Sequence, residues 1–342
     1  MLPDWPTPRV EAWKYTNLKG LVGLVLPEGT ATLETSALPP GVTLSQTTTP
    51  LTGLPDNSVV ARALAADSPC WHLHIAAGTI LREPIRLMVK SGAVACTPKL
   101  HLLLGQGAAA TIIETAEHGG LANGLAIIEL EAGAHLTHLR LQQSHPIATH
   151  LDTRQVQLGK SATYNHFCQT TGGLLTRYEP HITLNGQGAE AQITAIQLLS
   201  RQQLADLSSV ITHAVPQTTS REVVKTVLRD EAHGVFQGRI VVAPDAQKTN
   251  GHQLSRALLL SPRAEMSTKP ELEIFADDVK CSHGAATGAL DETALFYLKS
   301  RGVPEAEARA LLVHAFVAEA IEALPEGALR TEVESEVAKW LS

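Results

Sequence analysis

Aromatic residues are scarce in this sequence: Phe, Trp and Tyr together make up 4% of its 342 residues. A core with so little aromatic volume has to be built from Leu, Val, Ile and Ala, which favours thin, repetitive layers. Cysteine is scarce as well, and no two cysteines form a Cys-x-x-Cys pair; the four are Cys70, Cys96, Cys168 and Cys281. Such spacing excludes a disulfide scaffold and makes a reducing cytosol the expected compartment.

An excess of basic charge and long apolar runs are also lacking. Lys and Arg number 27 against 34 Asp and Glu, a formal net charge of −7, which argues against a nucleic-acid partner. No stretch approaches the roughly 18 apolar residues of a membrane-spanning helix, and the first residues lack the basic patch and apolar run of a signal peptide. We therefore expect a cytoplasmic protein with no nucleic-acid and no membrane partner.

The motifs of nucleotide and hydrolase chemistry are missing. Gly105-Gln106-Gly107 and Gly186-Gln187-Gly188 have neither the third glycine of a dinucleotide site nor a Walker lysine, so we interpret them as turns. No Gly-x-Ser-x-Gly or His-Glu-x-x-His motif occurs. The chain is therefore not expected to hydrolyse ATP itself or to be an enzyme.

From about residue 72 to residue 273, short runs of alternating apolar and polar residues predict many β-strands. Gly105, Gly119 and Gly133 recur every 14 residues within this region. The pattern alone leaves a sandwich, a barrel and a β-solenoid open. We divide the chain into a short N-terminal region (1–65), a β core (66–289) and a C-terminal helical domain (290–342).

The C-terminal domain follows a helical period. A helix predicted over Glu292 to Arg301 ends at Gly302. Two further apolar stripes follow it, the first made of Leu311, Leu312, Ala315, Phe316, Ala320, Ala323 and Leu324, and the second of Leu329, Val333, Val337, Trp340 and Leu341. We expect these helices to cover an end of the β region, and their stripe to be also a candidate docking face for a partner.

The densest group of chemically active residues lies between Asp277 and Gly284. Residues two apart on a strand share a face, so Cys281 and His283 would present a thiol and an imidazole side by side, suited to iron, zinc or a sulfur-bearing species. A closed metal centre normally has four ligands. The pair is therefore either structural or half of a site that another chain completes.

Two alternative functions stay open at this point. A zinc-dependent enzyme could use Cys70, His72 and His74, which alternate along a predicted strand. A stand-alone β-helix polysaccharide lyase or hydrolase would need paired carboxylates. The candidate pairs are Glu271 with Glu273 and Glu129 with Glu131. Packed or solvent-exposed structural residues are the competing interpretation of every one of these sets.

The C-terminal half of the sequence resembles the SufB/SufD family of iron-sulfur cluster assembly proteins. The resemblance rests on residues 236–242, 245–249, 258–261, 269–285 and 295–302, and the Lys-Cys-Ser-His-Gly-Ala form of 280–285 is that of the SufD-like branch. The resemblance is specific from about residue 205 to residue 324 and weaker around residues 11–15. Between these two regions only the general sequence pattern is similar. It implies a mainly β protein, with a right-handed parallel β-helix core and a C-terminal α-helical domain.

The resemblance also implies a role. The chain would be a non-catalytic scaffold subunit of an ATP-dependent assembly complex, pairing with a SufB-like subunit, or with a second copy of itself, and binding a SufC-like ATPase. His283, with Cys281, would lie at the SufB-like interface and contact iron or the nascent cluster. The ATPase subunit would dock on Leu295, Phe296, Tyr297, Arg301, Leu311 and Phe316. No cofactor would be tightly bound: iron or cluster would be transient, and ATP would be bound by the partner ATPase only.

Overall fold

The computed structural model describes residues 4–47, 51–66 and 68–341. Strands make up 48% of the chain and wind into a β-solenoid of about eight turns. In chain order the strands are β1 Thr32–Thr35, β2 Val42–Thr47, β3 Cys70–Ile75, β4 Ile85–Ser91, β5 Ala95–Cys96, β6 Lys99–Leu104, β7 Ala109–His118, β8 Leu121–Leu130, β9 His135–Gln142, β10 Thr149–Leu158, β11 Thr163–Thr170, β12 Leu175–Leu184, β13 Glu190–Leu199, β14 Leu204–His213, β15 Thr219–Leu228, β16 His233–Val242, β17 Asn250–Leu259, β18 Glu265–Ile274 and β19 Lys280–Ala289.

Helices lie at both ends of the chain. The α-helices are α1 Ser58–Ala65, α2 Glu292–Ser300, α3 Glu305–Ile321 and α4 Ala328–Leu341, and short 3-10 helices span Glu11–Trp13 and Lys19–Leu21. α2 begins after Asp291, whose side chain accepts hydrogen bonds from the first backbone N–H groups, and it ends before Gly302, which has a φ of +86°. In the part of the chain that the structure describes, no helix is long and apolar enough to cross a membrane.

Successive core strands alternate between two sheets, so that each strand stacks in parallel on the strand one coil earlier. Within the described residues one sheet has nine strands and the other ten. Thr149 of β10 pairs with Leu121 of β8, 28 residues before it, so the 14-residue recurrence of glycine is half a coil. A Cβ on Gly105 would lie 2.6 Å from the backbone nitrogen of Ala77, which excludes any larger residue at that corner. The predicted mainly β, solenoid architecture is confirmed.

The N-terminal region is built into the solenoid. β1 pairs with β4 and β2 pairs with β3, in both cases antiparallel, whereas pairing from coil to coil is parallel. Before β1, the buried Trp13 ring lies 4.0 Å from the guanidinium of Arg177, and Thr16 donates a hydrogen bond to Asp206. These contacts hold the first residues against the outer face of the ten-stranded sheet.

The C-terminal helices cover one side of the solenoid. Apolar residues of α3 and α4 form one buried cluster with outward-facing residues of the nine-stranded sheet; the main members are Val313, Val317, Val333 and Val337 from the helices and Leu139, Leu141, Ile196, Leu198 and Val227 from the sheet. Part of the outer face of this sheet is apolar, and an amphipathic helix buries its stripe there. The expectation that these helices cap an end of the β region is therefore wrong.

An aliphatic core runs along the lumen of the solenoid, and in the middle coils an ionic group lies beside it. Nε of Arg140 lies 2.7 Å from Oδ2 of Asp152, and Nη1 of Arg154 lies 2.7 Å from Oε2 of Glu114. Burial acts to raise the pKa of Asp152, but the charges of Arg154 and Arg140 outweigh it, and the net pKa is lowered. Two guanidinium groups and two carboxylates thus neutralise one another inside the protein, which is the condition for tolerating buried charge.

Glu222 of β15 is a buried carboxyl group farther along the lumen, and its hydrogen-bond donors are neutral. Ser209 Oγ and Gln253 Nε2 donate to its Oε2 at 2.9 Å and 2.8 Å. Burial raises the pKa of Glu222 from 4.5 to about 7. Because the folded protein then holds this proton more tightly than the unfolded chain does, Glu222 favours folding most below pH 4.5, and its contribution falls as the pH rises towards 7.

We expect Glu222→Gln to remove this pH dependence. Relative to the wild type, the free energy of unfolding of the variant should rise by roughly 2–3 kcal/mol between pH 4.5 and pH 8, since a shift of one pKa unit corresponds to 1.36 kcal/mol. Urea unfolding of both proteins across this range measures the difference. Glu190→Gln, at an exposed position, is the matched control. A pH-independent difference between wild type and the Glu222 variant would contradict the assignment.

Candidate functional site

The last coil ends in two edge strands, β18 and β19, which we call the open end. β18 pairs with β16 and β19 pairs with β17, and no further described strand lies beyond either of them. Both are ten residues long, and most side chains of β19 are exposed. A long, exposed edge of this kind is a template for pairing with another chain. The open end therefore offers the backbone groups of two strands to a partner.

Cys281 and His283 lie on β19 and share the lumen-facing side of the strand, as their spacing predicts. Their partners on β17 are Gly251 and Gln253. Cys281 packs against the rim of the lumen core, whereas His283 is exposed. Burial raises the pKa of the Cys281 thiol, and the residue is only partly exposed. The imidazole is the more accessible ligand of this pair.

His283 can supply only part of a coordination sphere. Among the described residues, no group of three or more His, Cys, Asp or Glu side chains is arranged to hold a metal ion. A metal ion at His283 would therefore have to take its other ligands from another molecule, since four ligands are the usual requirement. The position of His283 on the open end brings it within reach of whatever molecule pairs with that edge.

The six residues predicted to dock an ATPase subunit divide into two groups. Phe296 and Tyr297 of α2 are 73% and 56% exposed, and Leu311 of α3 is 48% exposed. Arg301, also exposed, holds its guanidinium 5.2 Å from the Tyr297 ring. The other two, Leu295 and Phe316, face the protein: Leu295 is buried, and Phe316 packs on the helix–sheet cluster with the Lys225 ammonium 4.7 Å from its ring. Leu295 belongs to the core and Phe316 is half-buried against it, so the exposed four define the candidate docking surface.

The predicted zinc site is wrong on geometry. Cys70, His72 and His74 do alternate on β3, but four residues of extended strand place Cys70 about 13 Å from His74, too far to share one ion. Burial also raises the pKa of the Cys70 thiol to about 11. The His72 ring instead stacks on the His101 ring, with centroids 4.6 Å apart. These residues belong to the packing beneath the N-terminal region.

The candidate carboxylate pairs of a polysaccharide enzyme are occupied by other contacts. Glu273 pairs with Arg239 at 3.1 Å and Glu271 with Lys269 at 3.2 Å. Glu129 lies 2.9 Å from His101. Glu131 lies outside β8 and accepts a hydrogen bond from a backbone N–H, so it does not share a strand face with Glu129. No pair is positioned as two free carboxyl groups across a common substrate.

Two residues next to His283 were missed at the sequence level. Gln253 is its register neighbour on β17, and Glu222 is the register neighbour of Gln253 on β15. They are separated from His283 along the chain by one and two coils. The sequence contains one signal for them, which is the period of the coil. Counting back from His283 in steps of about 30 residues gives Gln253 and then Glu222, two polar residues at lumen positions where aliphatic residues are expected.

Comparison with known proteins identifies one family to which this chain is similar. A family model described as "SUF system FeS cluster assembly, SufBD core domain" matches residues 87–316, about two thirds of the chain. The chain is 35% identical over 247 residues to the iron-sulfur cluster assembly protein SufD of Escherichia coli, an alignment that covers 70% of this chain and 58% of that protein.

Two further relatives are similar over comparable lengths of the chain. The SufBD family protein slr0076 of Synechocystis is 32% identical over 274 residues, covering 75% of this chain and 60% of the relative. Protein ABCI7, chloroplastic, of Arabidopsis thaliana is 32% identical over 293 residues, covering 83% and 60%. The chain thus spans about three fifths of the length of these relatives. Fold, motif and matches agree that this chain belongs to the SufB/SufD family of iron-sulfur cluster assembly proteins.

Proposed function

We propose that this chain is a non-catalytic, SufD-like scaffold subunit of an ATP-dependent iron-sulfur cluster assembly complex. In this proposal the open end pairs with a SufB-like subunit, and His283 contributes to a site for iron or a nascent cluster at the shared interface. The exposed part of α2 and α3 docks a SufC-like ATPase, which binds the ATP. The complex acts in the cytosol.

One observation carries this proposal: the more accessible ligand of the Cys281–His283 pair lies on a ten-residue edge strand that pairs on one side only. An imidazole completes a coordination sphere without adding negative charge. It needs a second molecule for the remaining ligands, and the strand that carries it presents the hydrogen-bonding edge by which a second molecule can attach. The ligand and the docking edge are thus parts of one surface.

The ATPase-docking part rests on a different surface. Phe296, Tyr297 and Leu311 are large apolar side chains that the helices leave in solvent, and aromatic side chains on a rigid element are common anchors of interfaces. These side chains lie on α2 and α3, whereas the open end is formed by strands. The two surfaces can therefore be tested separately.

His283→Ala should lower the yield of iron-sulfur cluster by about tenfold or more in a complex reconstituted with SufB-like and SufC-like partners. The side chain is exposed, so the thermal midpoint and the assembly of the complex should not change. Absorbance of the reconstituted cluster and bound iron are the measurements. His135→Ala, an exposed histidine on β9, is the control. An unchanged cluster yield with His283→Ala would remove His283 from the proposal.

Ala285→Lys tests the open end itself. A lysine on an exposed edge strand opposes pairing with another chain, so we expect binding of the SufB-like subunit to weaken by about tenfold, or about 1.4 kcal/mol. Calorimetric titration measures the affinity, and sedimentation of the isolated chain shows whether a homodimer uses the same edge. Ala93→Lys, in an exposed turn away from the open end, is the matched control. Equal affinities for the wild type and both variants would place the interface elsewhere.

The double variant Phe296→Ala, Leu311→Ala should lose about tenfold or more in affinity for the SufC-like ATPase. Pairing with the SufB-like subunit should remain intact, because the open end is not altered. Co-purification of the three subunits reports both contacts at once. Val25→Ala removes another exposed apolar side chain, from a segment distant in sequence, and is the control. Retention of the ATPase by the double variant would exclude this docking surface.

A further inference from the structure

Polar side chains form a row along the lumen wall that leads to the open end. The register of the nine-stranded sheet aligns Ile193, Glu222, Gln253 and His283 on β13, β15, β17 and β19. Ile193 is fully buried and apolar, so the polar row begins at Glu222 and continues only towards His283. Neighbouring strands are about 4.8 Å apart, which places each side chain directly beside the next.

Gln253 is the buried middle member of this row, and it has one free hydrogen-bonding atom. Its side chain is 3% exposed, and its Nε2 donates to Glu222 Oε2 at 2.8 Å. Its carbonyl oxygen Oε1 is buried and accepts no hydrogen bond within the described residues. A buried acceptor without a hydrogen bond lowers the stability of the folded protein by about 1–3 kcal/mol. The neighbour on the side of the open end is His283.

Two features of its surroundings hold the Gln253 amide in this orientation. Ser209 Oγ donates to the same Glu222 oxygen at 2.9 Å and so fixes the carboxyl group. On the opposite sheet, Gly238 provides the space: a Cβ there would lie 2.1 Å from Gln253 Nε2 and 2.5 Å from Cζ of Phe236.

We propose that Gln253 is a positioning residue for His283: its Oε1 accepts the N–H of the imidazole, and the Glu222 carboxyl group fixes the amide that does so. An imidazole that donates one N–H has its tautomer and ring direction set, and the other nitrogen keeps its lone pair for a metal ion. This inference rests on the proposed function of His283 as a ligand. According to this inference, side chains inside the last coils determine the orientation of His283, which is exposed at the open end.

The test is the tautomer of His283 in the isolated chain, read from nitrogen-15 NMR of the histidine rings at pH 8, with His283→Asn to assign the signal. In the wild type we expect one tautomer to dominate. Gln253→Met keeps the volume and removes the acceptor, and Gly238→Ala displaces the amide by steric contact; each should shift the tautomer ratio severalfold. Ser255→Ala, a buried polar residue on the same strand, is the control and should leave the ratio unchanged.

Retention of the wild-type ratio by both folded variants, or a wild-type ratio equal to that of a free histidine side chain, would overturn the inference. This readout does not depend on cluster assembly. If the ratio shifts as expected while His283→Ala still builds clusters normally, the positioning role stands and the proposed function fails. In the assembled complex, Gln253→Met should in addition lower the affinity for iron by about 10–100-fold, the usual cost of removing the group that orients a ligand.

Discussion

The last coil of the solenoid leaves the hydrogen-bonding edges of two long strands without a partner. In a parallel solenoid each coil hydrogen-bonds to the next, so the strands of the first and last coils each have one edge that no coil covers. At the first end, the short strands β1 and β2 run antiparallel to the first coil and form its border. At the other end the chain leaves β19 for helices that turn along the side. The exposed edge at the open end is therefore formed by ten-residue strands, whereas the edge at the first end is formed by strands of four and six residues.

An aliphatic core runs along the whole lumen. Beside it lie a neutralised group of arginines and carboxylates in the middle coils and a hydrogen-bonded group of Ser209, Glu222 and Gln253 in the coils next to the open end. Burying ionisable groups adds little net stability compared with aliphatic packing. Packing alone therefore does not explain Glu222 and Gln253, since Leu or Ile would serve it as well.

Much of the architecture followed from the sequence because it depends on short-range patterns. The two-residue alternation predicted the strands, the half-coil spacing of Gly105, Gly119 and Gly133 predicted turns, and the spacing of Cys281 and His283 predicted their common face. The placement of the C-terminal helices could not be predicted from the sequence, because an apolar stripe on a helix does not indicate which apolar surface the helix covers. Gln253 and Glu222 were missed because their relation to His283 exists only between coils. The burial of Leu295 and the partial burial of Phe316 are equally properties of the tertiary structure.

In the proposed function another polypeptide completes the open end. The decisive experiment is hydrogen–deuterium exchange of the backbone amides of residues 265–289, measured in the isolated chain and after addition of a SufB-like subunit. We expect fast exchange for the outward amides of β18 and β19 in the isolated chain and strong protection in the complex, with no change in the coils before β16. Formation of a stable complex without any change in exchange in these two strands would contradict it.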